Sequence, residues 1–133
     1  MTALMLICHA PLGHALHAVA CHAFGRYIAE VVVADIAANA SLDDAISTIE
    51  TVWKQEGRPK EIVLLGDILG ATPCNAACGW LALHPELNAR GLTGVSVPMM
   101  LKAMTYRELQ PAELVERLAD TVSPCCAPLS AIR

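Results

Sequence analysis

The sequence predicts an α/β fold, a doubly wound and mainly parallel sheet of four strands in the flavodoxin-like order 2-1-3-4. Two observations lead to this class. Short apolar or β-branched runs recur along the chain, and segments with helical periodicity separate them. Strands that alternate with helices are joined by right-handed crossovers and therefore pair in parallel. With no linker or internal repeat, the chain is expected to form a single domain over residues 1–133.

The strands are predicted from these apolar runs. The first run is continuously apolar, as in a strand buried on both faces of a sheet, and the second is rich in β-branched residues. Pro98 is expected to stop the last strand. The four predicted strands cover residues 3–8, 30–36, 61–65 and 92–97.

Each predicted helix begins at a sequence signal. One helix runs from Leu12 to about Tyr27, and a second begins at Ser41, which Asp44 follows at capping-box spacing. Thr72 is expected to be the N-cap of a third helix, because a hydroxyl followed by proline is a typical helix start. Shorter helices are predicted over residues 98–106 and from residue 111 to about residue 122.

The composition excludes several classes of partner and location. Hydrophobic residues make up 55% of the chain and the formal net charge is −4, so neither a nucleic acid nor an anionic membrane surface is an expected partner. No apolar run approaches the roughly 20 residues of a membrane span. Without a basic region typical of a signal peptide, the protein is expected to be cytoplasmic, with its six cysteines reduced.

The predicted topology brings two loops together beside the first strand, where the sheet reverses direction and ligands usually bind. These loops hold His9 and Asp67. A neutral imidazole is a competent nucleophile toward phosphorus, and a carboxylate is well suited to fix its tautomer. Thr72 would begin a helix whose N-terminus favours phosphate, so Gly70 and the first helical turn, Thr72-Pro73-Cys74, are predicted to hold phosphoryl oxygens.

The basic residues are placed elsewhere, since no lysine or arginine lies in residues 9–13 or 66–75. An enzyme that completes phosphoryl transfer usually brings cations to the transition state. Their absence favours a carrier that passes the group on, with a docking partner supplying any cation. The chain has no nucleotide-binding motif, and neither a cofactor nor a bound metal is expected.

Two motifs resemble the mannose-family IIA domain of the phosphoenolpyruvate:sugar phosphotransferase system (PTS). The segment 66–77 reads G-D-I-L-G-A-T-P-C-N-A-A, similar to the family pattern V-D-x-x-G-[GA]-[ST]-P-x-N-x-A. The segment 97–101 reads V-P-M-M-L, similar to N-[LIV]-P-M-[LV], with Ser96 where asparagine is usual. Ala10-Pro11 departs from the family, which often has glycine after the histidine.

The resemblance implies a phosphoryl carrier. Such a domain accepts phosphoryl from the phosphocarrier protein HPr on the histidine matching His9 and passes it to a IIB component. The aspartate matching Asp67 hydrogen-bonds that histidine, and the hydroxyl matching Thr72 contacts the phosphoryl group. The family is commonly a homodimer that exchanges a C-terminal strand, which here would fall in residues 125–133. In such systems the specificity for the sugar lies with the membrane permease.

Several other functions stay open. The chain could serve regulation rather than sugar uptake, or act as a dihydroxyacetone-kinase-type phosphotransfer subunit. A metal-dependent hydrolase is another alternative, because His14, His17 and Cys21 fall on one helical face. A non-catalytic binding module is the last alternative.

The first predicted helix is expected to turn its apolar face inward. This face, opposite His14, His17 and Cys21, consists of Leu12, Leu16, Val19, Ala20 and Ala23.

Overall fold

A computed structural model describes residues 1–130. Four parallel strands within this range form one sheet in the order 2-1-3-4, as the sequence predicted. The strands are β1 (Ala3–His9), β2 (Val31–Ile36), β3 (Glu61–Gly66) and β4 (Asn88–Leu92). The helices are α1 (Leu12–Phe24), α2 (Leu42–Gln55), α3 (Thr72–Leu83), α4 (Val97–Thr105), α5 (Pro111–Ala119) and the short α6 (Val122–Cys125).

Helices cover both faces of the sheet, which makes the fold doubly wound. Along β1, Leu4 and Leu6 point into a core shared with α1, α4 and α5. Met5 and Ile7 point the other way, into a core shared with α2 and α3. This two-residue alternation with apolar side chains on both faces is the reason the strand reads as one continuous apolar run.

The prediction for the fourth strand was wrong in position. β4 covers residues 88–92 rather than 92–97, and it is an edge strand whose side chains are mostly exposed or half-buried. Such a strand carries little apolar signal. The apolar residues after it belong to a turn, in which Gly94 has a φ of 81°, and to α4. Ser96 caps that helix, because its hydroxyl accepts the Met99 N–H at 3.2 Å.

The first helix ends earlier than predicted and turns a different face inward. It stops at Phe24 because Gly25 adopts a left-handed conformation, with φ of 68°, and closes the helix. Leu16 and Ala20 are buried as expected, whereas Leu12 and Val19 are 40% and 46% exposed. The inward stripe follows positions 13, 16 and 20, which also places the partly buried Cys21 against the core rather than on the outer face.

The C-terminal part of the chain differs from the prediction in the length of its last long helix. The last long helix ends at Ala119 instead of near residue 122. Residues 126–130 lie outside any strand, and residues 131–133 fall outside the described part of the chain. The exchanged C-terminal strand predicted there is therefore not seen up to residue 130, and the dimer stays a prediction. Across residues 1–130, no helix has the length and apolar character needed to cross a membrane.

Candidate active site

His9 and Asp67 meet at the carboxyl end of the sheet. His9 is the last residue of β1, and Asp67 directly follows β3, the neighbouring strand. The Asp67 Oδ2 atom accepts the backbone N–H of His9 at 2.8 Å and lies 2.7 Å from its Nδ1 atom. The other carboxylate oxygen, Oδ1, accepts the Ile68 N–H at 2.8 Å. The two residues that the topology predicted to meet are therefore in direct contact.

The hydrogen bonds keep Asp67 ionised although it is buried. Its side chain is only 8% exposed, whereas that of His9 is 48% exposed. Burial alone would raise the pKa of Asp67. Hydrogen bonds from the backbone and ring of His9 and from the Ile68 N–H outweigh burial, so the pKa lies below its ordinary value.

An ionised carboxylate can only accept hydrogen bonds, and this fixes the tautomer of His9. The Nδ1 atom must carry the proton that it shares with Asp67. In the neutral ring, the lone pair is then on Nε2. The His9 side chain is about half exposed, so the ring can be approached from solvent.

The loop after Asp67 leads into the N-terminus of α3. The prediction that Thr72 is the N-cap was wrong by one residue: Ala71 is the N-cap, with extended backbone, and Thr72 is the first helical residue. The N–H groups of Thr72 and Cys74 lie in the first turn, where helix geometry provides no intrahelical acceptor, and Pro73 has no N–H. Across residues 1–130, no hydrogen bond joins Thr72 to the His9–Asp67 pair.

Two glycines give this loop its shape. Gly70 has a φ of 87°, a conformation that other residues rarely adopt, and its carbonyl accepts the Asn75 side-chain amide at 3.3 Å. At Gly66 a methyl group would overlap the Sγ atom of Cys74. The close approach of α3 to the end of β3 therefore depends on the missing side chain at position 66.

Comparison with known proteins identifies the family. The chain matches the model of the EIIA-man family, described as the PTS system fructose IIA component, over residues 3–121. The chain belongs to this family. It is thus a IIA domain, a phosphoryl-carrier component of the sugar phosphotransferase system, and the predicted resemblance to mannose-type IIA domains is confirmed. Among curated proteins, none matches its sequence significantly.

Solved structures share the fold at low sequence identity. The phosphotransferase system component EIIA from Streptococcus agalactiae has a TM-score of 0.85 and 19% identity, covering 96% of this chain and 97% of that one. The mannose/sorbose specific IIA subunit from Enterococcus faecalis has a TM-score of 0.85 and 19% identity, covering 99% of this chain and 97% of that one. The PTS IIA protein associated with the fucose utilization operon from Streptococcus pneumoniae has a TM-score of 0.70 and 14% identity, covering 92% of this chain and 94% of that one.

Exposed apolar side chains follow the His9–Asp67 pair in the chain. Leu12, Ile68 and Leu69 are 40%, 58% and 79% exposed, and they follow His9 and Asp67 closely in the chain. Below the pair, the Cys8 thiol is fully buried. Burial, together with the charges of Asp67 and Asp35, raises the pKa of this thiol to about 12, so it is not a competing nucleophile.

A second histidine–carboxylate pair, His14 with Asp35, was missed from the sequence. Their Nδ1 and Oδ2 atoms lie 2.7 Å apart. His14, His17 and Cys21 were the metal ligands of an alternative function, but the His17 Nε2 atom lies 2.7 Å from the Ile28 carbonyl oxygen. No group of three potential ligands forms within residues 1–130. The available signal was that Asp35 lies near the end of β2, the other strand beside β1.

Proposed function

We propose that His9 is the phosphoryl acceptor of this IIA domain and carries the group on Nε2. The 2.7 Å contact between His9 Nδ1 and Asp67 Oδ2 is the observation that supports this most directly. It leaves exposed the one ring nitrogen with a free lone pair, and such a nitrogen is a competent nucleophile toward phosphorus.

Asp67 has two tasks in this mechanism, orientation and charge stabilisation. The Nε2 lone pair of His9 forms the new N–P bond while the P–N bond of the donor's phosphohistidine breaks, and the donor imidazole leaves as a neutral base. Nδ1 keeps its proton throughout, so the His9 ring becomes cationic. The neighbouring carboxylate balances that charge from within hydrogen-bond distance.

The N-terminus of α3 supplies a place for the phosphoryl oxygens. We assign the N–H groups of Thr72 and Cys74 and the Thr72 hydroxyl as donors, aided by the positive end of the helix dipole. Pro73 fixes the backbone of the first turn, and Gly70 provides the turn that leads into it. With no cation of its own in residues 66–75, this cradle holds the group loosely enough for onward transfer.

The donor and the recipient are both proteins in this proposal. HPr delivers the phosphoryl group to His9, and a IIB component takes it away. The exposed side chains of Leu12, Ile68 and Leu69 provide apolar surface on which either partner can dock. Each partner supplies the cations that stabilise the phosphoryl group during transfer. The domain acts in the cytoplasm. It forms a homodimer.

Measurement of acid-labile phosphate tests the acceptor directly. The protein is incubated with phosphoenolpyruvate, enzyme I and HPr, and the initial rate of incorporation is compared between the wild type, His9→Gln and His22→Gln. His22 is an exposed histidine on α1 and serves as the matched control. The initial rate should fall sharply in His9→Gln and stay at the wild-type value in His22→Gln. A wild-type rate in His9→Gln would overturn the assignment.

A further inference from the structure

The His14–Asp35 pair repeats the geometry of the His9–Asp67 pair bond for bond. The Asp35 Oδ2 atom accepts the backbone N–H of His14 at 3.1 Å and lies 2.7 Å from its Nδ1 atom. The Oδ1 atom accepts another backbone N–H, that of Gly13, at 2.8 Å. In each pair, one carboxylate oxygen holds both the main chain and the ring of the same histidine, and the other oxygen holds a neighbouring N–H.

The two pairs are also alike in burial and in their position on the sheet. The Asp35 side chain is 7% exposed and that of His14 is 71% exposed, so again a buried carboxylate holds an open ring. Asp35 lies on β2 opposite Cys8, the residue before His9. The two carboxylates therefore flank β1, one from each neighbouring strand.

The sequence is adapted to bring α1 close to Asp35. A methyl group at Gly13 would overlap the Asp35 Oδ1 atom and would lie 2.7 Å from the Val33 Cγ1 atom. Glycine at this position lets the first turn of the helix sit directly on the carboxylate. The ring of His14, one residue later, reaches the other oxygen from there.

We propose that Nε2 of His14 is a second phosphoryl acceptor, whose donor is a phosphorylated nitrogen compound such as a protein phosphohistidine. The carboxylate accepts the Nδ1 proton, which leaves the lone pair on the exposed Nε2. That lone pair forms the N–P bond as the P–N bond of the donor breaks and the donor nitrogen leaves as a neutral base. The Nδ1 proton stays in place, and Asp35 balances the resulting ring cation.

One difference sets the second acceptor apart. Asp35 already occupies the N–H groups of Gly13 and His14 at the start of α1. The helix N-terminus therefore has fewer donors for phosphoryl oxygens than α3 offers at its own start. Phospho-His14 is consequently expected to form more slowly than phospho-His9 and to lose its group sooner.

The test uses phosphoramidate, a small donor that needs no docking surface and releases ammonia. Fragment mass spectrometry of the folded wild-type protein gives separate phosphorylation rates for His9, His14 and His22. His22 lies on the same helix, is exposed, and makes no side-chain hydrogen bond within residues 1–130, so it reports the rate of an unassisted histidine. His14 should react about tenfold faster than His22 or more, the effect of one hydrogen bond to a charged group.

The variant Asp35→Asn should lower the rate at His14 to that of His22 while His22 itself is unchanged. If His14 in the wild type reacts no faster than His22, the proposal is overturned, whether or not the variant folds. The proposal depends on the function assigned above only for the identity of the natural donor. Slow reaction at His9 in the same spectra would count against that function and leave the assignment of His14 standing.

Discussion

Replacing Asp67 with asparagine keeps the size of the side chain and removes its charge. The distance between His9 Nδ1 and Asp67 Oδ2 is 2.7 Å. At this separation two unit charges attract by about 6 kcal/mol at an effective dielectric constant of 20 and by about 1.5 kcal/mol in bulk water. Because His9 is 48% exposed, water screens the attraction and the lower of these two energies applies. It is close to the roughly 1.5–3 kcal/mol of a hydrogen bond to a charged group.

This energy converts into a rate for phosphoryl acceptance. A loss of about 1.5–3 kcal/mol slows the step by roughly 10- to 150-fold. The amide oxygen of the introduced asparagine can still accept the Nδ1 proton, so His9 keeps its tautomer and is still modified at long times. Rapid-quench measurement of single-turnover transfer from phospho-HPr gives the rate. An unchanged rate in Asp67→Asn would remove Asp67 from the mechanism.

A matched control separates charge at the site from charge elsewhere. Glu50 also holds a histidine, since its Oε1 atom lies 2.8 Å from His84 Nε2. His84 is the C-cap of α3, and the length of that helix, about 18 Å, separates it from the loop that holds Asp67. Glu50→Gln should therefore transfer at the wild-type rate. With the amide oxygen facing His9, the asparagine NH2 group faces the Ile68 N–H, which loses the acceptor that Oδ1 provided. Thermal unfolding should show this as a small loss of stability, about 1 kcal/mol.

Two further predictions concern stability. Burial would lower the pKa of His84, but hydrogen bonds to Glu86 and Glu50 and the charges of both carboxylates raise it above the ordinary 6.5. Protonated His84 therefore stabilises the folded protein fully below pH 6.5, and this contribution is lost as the pH rises through the pKa of His84 in the folded state. The difference in unfolding free energy between wild type and His84→Gln should therefore be larger at about pH 5.5 than at about pH 9, and a difference independent of pH would refute this. Ser41→Ala removes the hydroxyl that accepts the Asp44 N–H at 3.0 Å, and denaturant unfolding should show a loss of about 1 kcal/mol; no change would mean that water replaces the cap.

The buried strands and the main site were predictable because their signals are local. β1 and β3 are buried on both faces, so each reads as an uninterrupted apolar run that ends at the site. Once their order was inferred, the meeting of His9 and Asp67 followed from the rule that parallel strands end at one edge. The exposed β4 has no such signal, and the apolar residues beside it were assigned to a strand in its place.

The errors at finer scale have a different origin. Whether Ala71 or Thr72 is the N-cap depends on one backbone angle pair, since Ala71 has ψ of 167° and Thr72 is already helical. The bond between His14 and Asp35 joins residues 21 positions apart. It requires both the register of β1 with β2 and the close approach that Gly13 allows, and neither can be read from residue types alone.

The nitrogen that carries the phosphoryl group is the most direct test of the account. Protein labelled with ¹⁵N is phosphorylated through enzyme I and HPr, and long-range ¹H–¹⁵N NMR spectra of the histidine rings are recorded before and after. Coupling to phosphorus should appear at Nε2 of His9, with Nδ1 still protonated and facing Asp67. Coupling at Nδ1 of His9, or a His9 ring unchanged while phosphate is incorporated, would contradict the account.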